Sequence, residues 1–158
     1  MRSTQHETYM RRAIELAREG MNDGGGPFGS VVVRNGLIIG EGGNRVTATN
    51  DPTAHAEVVA IRRACAEIGS FTLAGCTIYA SCEPCPMCLG AIYWARLDRV
   101  YIACTRQDAA NAGFDDEHIY EELSVARDER RIPMIKLLRE ESLLVFDEWS
   151  AKPDKVEY

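Results

Sequence analysis

Apolar residues recur at helical spacing over residues 5–20, where Tyr9, Ala13, Leu16, Ala17 and Met21 are separated by charges. That period predicts an amphipathic helix, with Gly20 suited to its C-terminal end. Gly24-Gly25-Gly26-Pro27 reads as a loop, and it lacks the Gly-Lys-Ser/Thr ending of a phosphate-binding P-loop. Strand patterns over 30–34 and 37–41 flank Asn35-Gly36, a strong two-residue hairpin signal. Asp51 and Pro52 read as the cap and first residue of a helix running to about residue 68. A short apolar strand follows at 77–81, then a proline-started helix at 85–95 and a strand at 99–104. A helix at 116–123, a strand at 134–138 and a last helix at 142–151 complete the pattern. Five strands alternating with helices predict an α/β protein whose mixed sheet is covered on both faces. Without repeats, low-complexity tracts or long linkers, residues 1–158 are expected to form one domain.

Charge and composition narrow the partners. The formal net charge is −6, with a pI near 5.1, so the surface should repel phosphate backbones and no nucleic-acid partner is expected. The arginine pairs Arg11-Arg12, Arg62-Arg63 and Arg130-Arg131 are scattered and read as solubilising. No apolar run approaches the ~20 residues of a membrane span, and the start of the chain lacks the apolar core of a secretory signal. A cytoplasmic location is the resulting expectation. In that compartment the six cysteines point to metal binding before disulfides.

The chemistry concentrates in two stretches, Pro52-Thr53-Ala54-His55-Ala56-Glu57 and Pro84-Cys85-Pro86-Met87-Cys88. Their H-x-E and P-C-x-x-C spacing is the signature of zinc-dependent base deaminases. One imidazole and two thiolates supply three zinc ligands and leave the fourth tetrahedral position to water. Glu57 is then the group that moves protons. On an ideal helix His55 and Glu57 would stand about 200° apart, which a position at the helix start relieves, because side chains there lean past the N-terminus. Cys85 and Cys88 share one face. Two helix N-termini aimed at the metal would favour the thiolate forms.

Other residues have plainer readings. Cys65, Cys76 and Cys104 read as small buried hydrophobes, and Cys82 as the end of a buried strand. An iron–sulfur centre using Cys82, Cys85 and Cys88, or a closed structural zinc site, would leave His55-Ala56-Glu57 unexplained. His6 and His118 read as structural. Tyr93 and Trp94 are neighbours on one helix, so one is expected in the core and the other at a subunit contact or pocket rim.

The whole chain resembles the small bacterial guanine deaminases of the cytidine deaminase-like fold. The likeness rests on Gly25-Gly26-Pro27-Phe28-Gly29, on Asn50 through Glu57, on Ser81 through Arg96, on Ala112-Gly113-Phe114-Asp115-Asp116 and on the terminal Glu157-Tyr158. The zinc motif defines only the superfamily; the Gly-Phe-Asp-Asp segment and the tyrosine ending point to guanine. The resemblance implies a three-layer α/β/α sandwich, one zinc ion per chain, and conversion of guanine to xanthine and ammonia in purine base metabolism. It also implies a homodimer that exchanges its C-terminal segment, residues 141–158.

By position, the resemblance assigns zinc to His55, Cys85 and Cys88, and proton transfer to Glu57. Asn44 would hydrogen-bond the base, Asp116 would accept from a ring N–H, Phe28 would stack, and Tyr158 would close the pocket. Ala56 joins the substrate-binding set. A buried acceptor suits guanine, which carries several N–H donors. Asp115 reads equally as a helix cap or a substrate contact. A tRNA-specific adenosine deaminase shares the zinc motif and an Asn at position 44, but must hold an RNA loop with basic groups. A guanosine or cytosine deaminase is the other alternative.

Overall fold

The computed structural model describes residues 4–158 and resolves them into two compact units, one running to Asp116 and one spanning Glu117–Tyr158. The first unit is built on β1 (Gly29–Arg34), β2 (Leu37–Gly43), β3 (Thr77–Cys82) and β4 (Arg99–Cys104), in the sheet order β2-β1-β3-β4. β1 runs antiparallel to β2 and β3, and β3 runs parallel to β4, so the sheet is mixed as expected. Successive residues of β1 serve opposite faces. Val31 and Val33 pack with Tyr9 and Leu16 of α1 (Gln5–Asn22). Val32 packs with Ala60, Ile61 and Ala64 of α3 (Ala56–Ile68) and with Ile92 of α4 (Pro86–Trp94). That period-2 alternation in a strand buried on both sides is what makes the three layers. Two short helices, α2 (Val46–Thr49) and α5 (Arg106–Asn111), were not legible in the apolar pattern.

Several boundaries move for identifiable reasons. α1 passes through Gly20 and ends at Asn22, because Gly24 is the residue that turns left-handed (φ 80°). Gly25 N–H then donates to the Gly20 carbonyl at 2.8 Å, closing a Schellman-type end. The Asn35-Gly36 turn takes positive φ at both positions (51° and 81°), the primed geometry that fits strand twist. Arg12 of α1 grips Glu41 of β2 with Nε and Nη2 at 2.8 and 2.9 Å, a two-point contact that holds the Glu41 carboxyl below its ordinary range.

β2 meets α3 through glycines. A Cβ at Gly42 would lie 2.2 Å from the Ala56 carbonyl oxygen, and one at Gly40 would lie 2.4 Å from that of Ala60. With Ala56, Ala60 and Ala64 opposite, all fully buried, helix and strand approach backbone to backbone. Gly42 therefore sets the height of the α3 N-terminus, where His55 and Glu57 sit. Gly42→Ala is expected to destabilise the fold by about 1–3 kcal/mol through overpacking, read as a lower midpoint in denaturant. An unchanged midpoint would show that this approach is not tight.

The second unit contains α6 (Glu117–Ser124), a 3-10 turn at Arg127–Glu129 and α7 (Arg139–Ala151). No residue in it is buried. The expected strand at 134–138 is absent, so the described sheet has four strands and not five. Residues 134–138, Met-Ile-Lys-Leu-Leu, are mostly apolar but have no ladder to join; Ile135 is 86% and Leu137 82% exposed. A strand pattern without a hydrogen-bonding neighbour cannot be a strand. Among the described residues no helix is long and apolar enough to cross a membrane.

Candidate active site

Each helix that carries half of the motif begins on a candidate metal ligand. His55 is the N-cap of α3 and Cys85 the N-cap of α4, both with extended backbone (φ −66°, ψ 154° and φ −65°, ψ 169°). A polar N-cap side chain ordinarily turns back to accept from its own helix. Neither of these does, and they face each other instead. His55 Nδ1 lies 3.5 Å from Cys85 Sγ and 3.4 Å from Cys88 Sγ, with the two sulfurs 3.6 Å apart.

The expected helix start at Asp51 and Pro52 is thereby corrected by one turn. Asp51 Oδ1 accepts from the Thr53 N–H at 2.8 Å and from its hydroxyl at 2.7 Å, a local turn that keeps Pro52 outside the helix. The displacement also removes the angular conflict between His55 and Glu57. His55 precedes the helix, Glu57 is its second residue, and their side chains are not bound by the helical angle. At α4 the proline that opens the helix is Pro86, not Pro84, so the helix starts one residue later than expected and Cys85 stands outside it as the cap.

Glu57 is 7% exposed, and Cys88 Sγ donates to its Oε2 at 3.5 Å. Burial pushes its carboxyl above the ordinary range, which suits a group that must both take and release a proton. Asn44, just past β2, is 8% exposed, and its Oδ1 accepts from the N–H groups of Gly26 (3.3 Å) and Val46 (3.2 Å). Its amide nitrogen is the end left to face a ligand. Ala56 is fully buried at the first helical position, where the backbone N–H has no acceptor within the helix.

Asp116 is half-buried, and its carboxyl is raised chiefly by desolvation and also by Cys85; His55 is raised chiefly by its hydrogen bond to Cys85, with a smaller contribution from the Asp116 charge. The fold thus brings Asp116 into the electrostatic reach of the ligand cluster, while Asp115 is exposed. Phe28 is half-buried, and Phe114 meets it edge-on with ring centroids 4.9 Å apart at 86°. Phe114 is a wall residue that sequence reasoning used only as part of a motif. Its signal was the glycine before it, whose φ of 93° turns the chain there. Tyr158 lies in the second unit and is 75% exposed.

Two expectations about side-chain placement fail. Tyr93 and Trp94 are both exposed, at 71% and 60%, because Ile92 takes the core position of that turn. Cys104 is exposed and not buried, since β4 is the sheet edge.

Residues 3–104 match the family described as the cytidine and deoxycytidylate deaminase zinc-binding region. The chain belongs to that family. Over 154 residues it is 54% identical to guanine deaminase of Bacillus subtilis, covering 97% of this chain and 99% of that protein. The X-ray structure of guanine deaminase from Bacillus subtilis superposes with a TM-score of 0.94 at 55% identity, covering 97% and 98% of the two chains. The tRNA-specific adenosine deaminase of the same organism is 41% identical over 97 residues, 61% of this chain and 60% of that protein.

The donor geometry fits the zinc of this deaminase family. Tetrahedral zinc with bonds of about 2.3 Å to sulfur and about 2.05 Å to nitrogen spaces its ligands about 3.8 Å (S–S) and about 3.5 Å (S–N) apart. The three separations here match that cage, and among the described residues His55, Cys85 and Cys88 are positioned to hold one zinc ion. The proton chemistry agrees. The contact between the two sulfurs holds Cys85 down to about 4 and pushes Cys88 up. A hydrogen bond to Cys85 likewise raises His55. Protons and a divalent cation therefore compete for these three ligand atoms.

Proposed function

We propose that this protein is a guanine deaminase that hydrolyses guanine to xanthine and ammonia. The likeness to a guanine deaminase along 97% of the chain carries the reading, and the acid at Asp116 beside the zinc ligands gives it chemical sense. Zinc, when bound, supplies a Lewis acid that makes water nucleophilic near neutral pH. Glu57 takes the proton of the attacking water on its carboxylate and passes it to a ring nitrogen of the base; it then takes the proton of the hydroxyl now on the ring carbon and gives it to the amine, which leaves as ammonia while the C=O bond forms. The shuttle is required because NH₂⁻ is not a viable leaving group.

The remaining residues read as a purine clamp. Asp116 accepts from a guanine N–H, the Asn44 amide nitrogen donates to a ring acceptor, and the Ala56 N–H at the start of α3 offers a second donor. Phe28, braced by Phe114, stacks on the ring. Following guanine, guanosine, cytosine and an anticodon-loop RNA side by side tests the assignment. Turnover confined to guanine is expected; turnover of another substrate with none of guanine overturns it. Asp116→Asn keeps the shape and removes the charge-assisted acceptor. It is expected to lower kcat/KM for guanine about ten- to hundredfold, and unchanged steady-state kinetics would remove Asp116 from the pocket.

We infer further that residues 1–158 act as one deaminase domain and that two copies exchange the segment 141–158, with Tyr158 closing a pocket. In support, the second unit buries none of its own residues, and Phe146 and Trp149 of α7 are 64% and 40% exposed. Apolar surface of that extent is covered in stable proteins. Truncation after Ala151 is expected to leave a folded, zinc-loaded dimer with at least a tenfold loss of guanine turnover. Undiminished turnover would exclude the tail from the pocket, and light scattering showing a monomeric full-length chain would exclude the exchange.

A further inference from the structure

Two thiols outside the metal cluster stand side by side at the C-terminal ends of β3 and β4. Cys82 and Cys104 are register partners of the parallel pair. In a parallel ladder such partners project from the same face, with Cα atoms about 4.7–4.9 Å apart, inside the range of about 4.4–6.8 Å that a disulfide bridges. Both line one apolar cleft of about 300 Å³, together with Phe28, Phe114 and Ile14. Their environments differ in a complementary way. Cys104 is exposed, whereas Cys82 is 7% exposed and donates to the Thr105 carbonyl at 3.4 Å. The strand ends are also joined by the Glu83 N–H, which donates to the Cys104 carbonyl at 2.9 Å. The deaminase chemistry uses neither sulfur.

We propose that Cys82 and Cys104 form a reversible, peroxide-responsive disulfide on the floor of this cleft. Hydrogen peroxide is the oxidant. The Cys104 sulfur attacks it, an S–O bond forms as the O–O bond breaks, and one water leaves, giving a sulfenic acid. The Cys82 sulfur then attacks the Cys104 sulfur, the S–O bond breaks, and a second water carries away the oxygen. The two thiols are oxidised and one peroxide is reduced. Cys104 is the first target because it is reached from solvent. Burial holds the Cys82 thiol up at about 11, which keeps it protonated until a neighbouring sulfenic acid is present. The inference is independent of which base the enzyme deaminates.

The test is peroxide treatment of the zinc-loaded enzyme, followed by thiol counting under denaturing conditions and peptide mapping. The count is expected to fall by two from the six cysteines of the chain. The new cross-linked peptide should join Cys82 to Cys104, zinc should be retained, and dithiothreitol should restore both thiols. Cys104→Ser and Cys82→Ser should each abolish the cross-link while keeping zinc. In Cys82→Ser the Cys104 sulfenic acid should persist and react with dimedone. Oxidation of Cys104 to sulfinic acid with Cys82 left reduced in the unsubstituted enzyme would overturn the proposal. So would a first cross-link between Cys85 and Cys88 with release of zinc.

Discussion

Glu57→Ala is expected to keep its zinc and lose turnover by about a thousand- to ten-thousandfold. Glu57 is not among the three atoms that match the zinc cage, so the metal should stay, and KM should change little beside kcat. The carboxyl is nearly buried and raised by desolvation, which means that the fold tolerates it at a cost. Removing it should leave the denaturation midpoint unchanged or higher, an outcome that separates a chemical role from a structural one. Glu57→Gln should be as inactive as the alanine variant, since the amide keeps the shape but cannot shuttle a proton. Turnover within a fewfold of the unsubstituted enzyme in either variant would sink the proton-shuttle role.

The second large effect concerns the metal. Cys88→Ser is expected to reduce bound zinc from one ion per chain to a small fraction and to bring guanine turnover to background. Cys88 is fully buried and lies within ligand distance of both partners, so its loss removes one of the three donors of the cage. Chelation of the unsubstituted enzyme should give the same loss, reversed by zinc and not by magnesium, because two sulfurs and an imidazole suit a borderline-soft ion. The sign with pH follows from competition. Protons and zinc bind the same three atoms, so retained zinc should fall as pH is lowered and return as it is raised. Zinc binding to the folded chain alone also stabilises it, so the chelated protein should unfold at lower temperature. A chelated enzyme of full activity, by direct assay, would remove the metal from the reaction.

The elements with strict local periodicity were legible in advance. β1 and β3 show apolar runs bounded by turn residues, and Asn35-Gly36 names its own turn because few other pairs adopt positive φ twice. The metal triad was legible because metal chemistry needs particular atoms at particular spacings, and H-x-E with P-C-x-x-C satisfies it with no tertiary information. The start of α3 was misplaced because Asp-Pro is a good helix opening by propensity, and only the Asp51–Thr53 turn diverts it. The strand expected at 134–138 failed because a short apolar run does not specify a hydrogen-bonding neighbour, and none lies beside it in the four-stranded sheet.

From residue order alone came the class of chemistry, the ligand identities and the alternation of strands with helices, all of which depend on short-range pattern. Contacts distant in sequence settled the rest. They made His55 and Cys85 opposing N-caps, lowered α3 onto Gly40 and Gly42, set Phe114 against Phe28, and left β4 as an edge with Cys104 beside Cys82. Such features rest on which backbones approach each other in space, and no window along the chain contains both partners.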